Sequence, residues 1–156
     1  MNAADLLQNL GRGVNLPGFT FDANGCARLL VDGKIAVNFE HDAANDCLQI
    51  YSTLGTVPSE GREAVFLQLL EGNLFGARTA GATLAVDTLY NEIVLCRSVP
   101  LEGADPASFA DLVARFISAV EEWGVLLEAP AGAPAVQGQP DPDRGEPRVQ
   151  AHFMRV

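Results

Sequence analysis

Apolar positions along the chain change their spacing in an orderly way, and each change marks an element. Leu6, Leu7 and Leu10 recur at helical spacing and are followed by Gly11 and Gly13, which predicts a short amphipathic helix. After Pro17 and an Asn24-Gly25 turn, Ala27, Leu29 and Val31 alternate with Cys26, Arg28 and Asp32, the period of a strand. Asp32-Gly33 is a strong hairpin signal, because both residues tolerate positive φ. Ile35, Val37 and Phe39 then alternate with Lys34, Asn38 and Glu40, and a third strand is expected over residues 47–54 on Leu48, Ile50 and Leu54. Pro58-Ser59 opens a helix, with Ser59 as expected N-cap, Glu60 and Glu63 in the first turn, and Val65, Phe66, Leu69, Leu70 and Leu74 at helical spacing. Two strands follow, over 82–88 and 92–99, around Leu89-Tyr90-Asn91. Asp105-Pro106 starts a last helix, lined by Phe109, Leu112, Val113, Phe116, Val120 and Trp123 or Leu127. The order is helix, three strands, helix, two strands, helix. That predicts an α+β fold, with a mostly antiparallel twisted sheet packed by helices.

The pattern stops at Ala129. Five of the nine prolines fall within residues 129–147, with almost no bulky apolar side chain. Such a stretch cannot offset the entropy of ordering, so 129–156 is expected to be a disordered Pro/Gly-rich tail behind a folded domain of residues 1–128. The formal charge is −10. In the tail, Asp141, Asp143 and Glu146 balance Arg144, Arg148 and Arg155, so the whole excess belongs to the domain. A surface this acidic repels phosphate backbones and anionic lipid, which excludes nucleic acid and membrane as expected partners. No apolar run approaches the ~18 residues that span a bilayer. Residues 1–10 carry Asp5 and no Lys or Arg, unlike the front of a signal peptide. Cys26, Cys47 and Cys96 are odd in number and lie in apolar runs, as reduced packing residues would. A cytoplasmic protein is expected.

Groups able to do chemistry are few. His41, beside Asp42, reads as a solvated turn residue, and His152 lies in the tail. No Cys or His pair has the spacing of zinc ligands, so neither metal nor cofactor is expected. The segment Gly11–Gly18 lacks the Lys-Ser/Thr of a phosphate loop and follows a helix, not a strand, so it reads as a turn. Asp87 and Glu92 flank a hairpin and read as charges that keep it wet. No active site emerges, so the expectation is a binding protein and not an enzyme.

The segment Phe66–Asp87 carries a further signal. Leu69, Leu70, Asn73, Leu74 and Phe75, then Gly81, Leu84, Ala85 and Asp87, resemble the central signature of the class I type III secretion chaperones, the CesT/Tir chaperone family. In that family a helix ends in Leu-Leu-x-x-Asn-x-Phe/Leu, and a glycine precedes a strand reading Leu-Ala-x-Asp. Ile93-Val94-Leu95-Cys96, the acidic loop after it and the last helix with Trp123 are similar too. The resemblance implies a cytoplasmic homodimer in a Gram-negative bacterium that binds the N-terminal chaperone-binding region of a secreted effector and keeps it extended. It admits the secretion ATPase as a further partner. An alternative is a regulator of the same fold that sequesters another regulator of the secretion system. By the same analogy, Val65, Phe66, Leu69, Leu70, Leu84 and Val86 are expected at the dimer interface. Leu6, Leu7, Leu10, Leu29, Val31, Ile35 and Val37 are expected in the client groove, with packing inside the protomer as the rival role for both sets.

Overall fold

A computed structural model describes residues 2–128; the expected tail lies outside the described residues. The elements follow the expected order: α1 (Ala3–Gly13), β1 (Cys26–Val31), β2 (Ile35–Asp42), β3 (Cys47–Thr56), α2 (Arg62–Asn73), β4 (Thr83–Asp87), β5 (Glu92–Pro100) and α3 (Pro106–Glu128). A short 3-10 turn, Leu74–Gly76, extends α2 and was not expected. The five strands form one sheet in the order β1-β2-β3-β5-β4, with every neighbouring pair antiparallel.

Local chemistry explains most boundaries. Asn2 caps α1 by accepting the Asp5 amide at 2.8 Å. Asp32 and Gly33 both take positive φ, 50° and 68°, and the Lys34 amide closes the turn on the Val31 carbonyl at 3.0 Å. Asp105 caps α3, accepting the Ala107 and Ser108 amides at 3.1 Å each, and Pro106 takes the first helical position. The start of α2 departs from expectation. Its N-cap is Gly61 in the left-handed region (φ 69°), not Ser59. A backbone reversal that needs positive φ takes over there from a side-chain cap.

Strand alternation gives the sheet two unlike faces. Leu29, Val37, Phe39, Leu48, Ile50 and Leu95 lie on one of them, buried, beneath α1 and α3. Phe39 joins the layers, meeting Phe19 edge-on at 5.9 Å between centroids and Phe109 at 6.4 Å. Arg28, Leu30, Asn38, Tyr51 and Val94 lie on the opposite face, which no helix of the described residues covers. Trp123, toward the C-terminal end of α3, is fully buried. Its indole N–H donates to the Arg78 carbonyl at 2.8 Å, and the Arg78 guanidinium sits 5.3 Å over the ring. The residue that lets α2 approach is Gly72. A methyl there would overlap the Trp123 ring and lie 2.8 Å from Leu84 Cδ1.

Two predictions follow from this packing. Gly72→Ala should lower unfolding stability by roughly 1–3 kcal/mol through overpacking against Trp123, read by chemical denaturation. The Asp105 carboxyl is held below its ordinary value by Ser108, through its side chain first and its amide second. Asp42 is held down in the same way by Asn45. Folded values below unfolded ones mean a contribution that is present above the ordinary carboxylate range and lost as pH falls through the depressed values. Asp105→Asn, which keeps a capping oxygen without the charge, should therefore lose less stability than the unsubstituted chain on acidification.

Candidate protein-interaction surfaces

Apolar residues on α2 extend from the side that packs on the sheet round to a second side, while Glu63, Gln68 and Glu71 keep the rest polar. An apolar side that faces away from the sheet calls for an apolar neighbour of its own. In the protomer only Leu69 and Gly72 are buried, against β4 and α3. Leu67 is 58% exposed, Leu70 69% and Leu74 64%, with Phe66 at 37%. These four lie at helical spacing on the side turned away from the sheet.

The stripe continues onto the turn after the helix. Phe75 is 95% exposed and held at φ 56°, a left-handed conformation that a bulky residue seldom takes. Its surroundings are fixed from several directions. Arg97 Nη1 donates to the Ala80 carbonyl, Thr79 Oγ1 donates to the Ala82 carbonyl at 2.6 Å, and Trp123 holds Arg78. These hydrogen bonds hold the loop on which Phe75 stands, in a backbone conformation that costs about 1–3 kcal/mol.

Beside it runs β4, the end strand of the sheet. The Leu84 amide donates to Asn73 Oδ1 at 2.8 Å, and Asn73 Nδ2 donates back to the Leu84 carbonyl at 3.0 Å. One side-chain amide thus occupies the place of a neighbouring strand and closes the edge at Leu84. Alternation along an antiparallel strand turns the Val86 backbone groups outward next.

Of the residues expected at a dimer interface, Phe66 and Leu70 lie on the exposed stripe, while Val65 and Val86 are half-buried. Leu69 and Leu84, each 4% exposed, are corrected to the protomer's own core, because Gly72 draws that side of α2 onto Trp123. Leu67, Leu74 and Phe75 were missed as surface residues. Asn73, Leu74 and Phe75 stand in the quoted signature, so their signal was present; only their orientation was not.

The expected client groove divides in a similar way. Leu6, Leu7, Leu10, Leu29 and Val37 are at most 6% exposed and pack under α1 and α3. They are corrected from groove lining to core, since the amphipathic face of α1 closes on the sheet. Val31 and Ile35, half-buried, line an open groove of about 970 Å³ between β1–β3 and the end of α3. Leu54, Val120 and Val125 complete its apolar surface. A second depression, about 810 Å³, lies on the uncovered sheet face around Tyr51, Val94 and Cys96, with Glu40, Asp87 and Glu92 at its rim.

Little in these surfaces is reactive. Burial pushes the Cys96 thiol above its ordinary value, and burial, then Asp22 and Glu40, do the same to Cys26. Both stay protonated near neutral pH and are poor nucleophiles. Asp87 accepts the Leu89 and Tyr90 amides, and Glu92 accepts the Thr53 hydroxyl at 3.0 Å, so both hairpin carboxylates stabilise turn and sheet. His41 is exposed and stacks on Phe21 at 6.0 Å. Among the described residues no group of three or more His, Cys, Asp or Glu side chains is placed to hold a metal ion, and no helix is long and apolar enough to cross a membrane.

A five-stranded antiparallel sheet carries its helices on one face, and the outward side of α2 is left open among the described residues. The chain belongs to the Tir chaperone protein (CesT) family, whose model matches residues 5–124. A Chlamydia pneumoniae protein, CPj0713/CpB0740, is 31% identical over 77 residues, which is 49% of this chain and 58% of that relative's length. Among solved structures, a chain of the HopA1–SchA chaperone–effector complex is similar with TM-score 0.64 and 19% identity, covering 78% of this chain and 91% of that chain. A chain of the ExsC–ExsE complex gives TM-score 0.67 and 23% identity, over 81% of this chain and 97% of that one. For the Pseudomonas aeruginosa ExoT–SpcS complex the values are 0.60 and 22%, over 78% and 98%. At these identities the likeness to solved structures is one of fold.

Asn73→Ala should destabilise the domain by about 1–3 kcal/mol, since it leaves two half-buried backbone groups of Leu84 without a partner. Hydrogen exchange should show the loss first at the Leu84 amide.

Proposed function

We propose that the chain is a cytoplasmic, homodimeric type III secretion chaperone. It binds the N-terminal segment of an exported effector and keeps it extended for secretion, without a catalytic step. The observation that carries this reading is apolar surface left open by a chain of this family: the α2 stripe with Phe75, and the groove at Val31 and Ile35. Similar folds occur in the HopA1–SchA chaperone–effector complex and in the ExoT–SpcS complex.

Two surfaces serve two partners. The α2 stripe, Phe66, Leu67, Leu70 and Leu74, together with Phe75 and the free part of the β4 edge, faces a second copy. Full burial of each such side chain is worth roughly 1.5–3 kcal/mol. Several per protomer are needed to exceed the ~4–15 kcal/mol that association costs. The groove takes the client. Ordering an unfolded segment costs about 2–5 kcal/mol or more of the gross interaction, so the client must supply apolar side chains at several points along its path. Negative charge over the domain favours a client segment that is neutral or basic.

Co-expression with the protein encoded beside this gene tests the reading. A soluble complex of two chaperone copies with one client is expected by light scattering after size exclusion. The client's N-terminal segment should suffice for binding. Val31→Asp with Ile35→Asp should weaken that binding by roughly tenfold or more, each tenfold being about 1.4 kcal/mol. Unchanged affinity in a folded double variant would move the client elsewhere.

A further inference from the structure

The groove at Val31 and Ile35 has a feature that the client reading leaves unused. Glu128, the last described residue of α3, forms part of its lining. The remaining 28 residues of the chain therefore start at the groove's own lip. Val125 is 70% exposed one turn earlier, on the same lining. An apolar side chain so open, beside Val31, Ile35 and Leu54, leaves the end of α3 without a cover in the described residues.

Charge points to the cover. Around the groove, Asp32, Glu92, Glu121 and Glu128 outnumber Arg28 and Lys34. Within the chain the complementary segment is residues 148–156. It holds Val149, Phe153, Met154 and Val156 with Arg148 and Arg155, and no acidic side chain. Between the two, Val136 is the one bulky apolar side chain, so 148–156 holds four of the five past Glu128. Reach is no obstacle. Covalent geometry lets 20 residues, the number in 129–148, reach up to about 70 Å, and a short tether that can span its site gives an effective concentration near millimolar.

We propose that residues 148–156 of this chain dock in the groove between β1–β3 and the end of α3, and hold it until a client segment displaces them. The apolar side chains cover Val125, Val31 and Ile35, while Arg148 and Arg155 face the acidic rim. Competition with the client rests on the chaperone reading above; docking of the tail does not. A tail that fills the groove in nine molecules of ten weakens client binding about tenfold, because only the open fraction is competent.

The test uses the full chain and its amide spectrum. Phe153→Asp with Met154→Asp should shift the resonances of Val31, Ile35, Leu54 and Val125; spectra that superimpose over residues 2–128 would overturn the docking. Conversely, Val125→Asp, at an exposed site that the fold does not need, should move the resonances of 149–156; if they stay put, the groove is not where the segment sits. The client's N-terminal segment should then bind the Phe153→Asp, Met154→Asp chain about tenfold more tightly than the unsubstituted one. Equal affinity would overturn the competition. A client segment that binds neither chain would count against the chaperone reading, while the two spectra still decide the tail.

Discussion

The contact between Gly72 and Trp123 organises this molecule. Trp123 is fully buried, and its ring lies where any side chain at position 72 would stand. Through its N–H and its face it also holds Arg78, and with Arg78 the loop that leads into β4. One aromatic residue therefore fixes both the position of α2 and the path after it. Because α2 is drawn onto the sheet by its Leu69–Gly72 side, its remaining apolar residues are turned outward with nothing among the described residues to meet them. The open stripe is a consequence of the core, not a defect in it.

Burial inside the protomer and binding outside it draw on one supply of apolar residues. Along α1 the division is simple, since Leu6, Leu7 and Leu10 all close on the sheet and the other side of the helix is polar. Along α2 it is not, and neighbouring residues such as Leu69 and Leu70 have opposite fates. The same tension recurs at the other end of the sheet. There Leu29 and Val37 pair across the β1–β2 hairpin and are buried, while Val31 and Ile35, two pairs further on and on the same face, reach the open groove. Function in such a protein lies in where the core stops.

That boundary is what the sequence leaves unwritten. Alternation and turn chemistry place β1, β2 and the Asp32-Gly33 hairpin to within a residue, and Asp105-Pro106 marks the start of α3, because these signals are local. Ser59 misleads as a cap because the reversal into α2 rests on positive φ at Gly61, which a propensity reading ranks below a hydroxyl. The expected client and dimer residues divide between surface and core for a different reason. Periodicity says that Leu6 and Leu84 face something apolar, but not whether it belongs to the same chain. Phe75 was in view as part of the signature, yet its exposure depends on a left-handed turn that only the surrounding hydrogen bonds define.

If a second copy covers the outward side of α2, sedimentation velocity of the Phe66→Asp, Leu70→Asp chain at micromolar concentration should reveal it. Both residues are exposed in the protomer, so the fold should survive the change. A dimer is expected for the unsubstituted chain and a folded monomer for the double variant. An unsubstituted chain that sediments as a monomer, or a variant that remains a dimer, would contradict it.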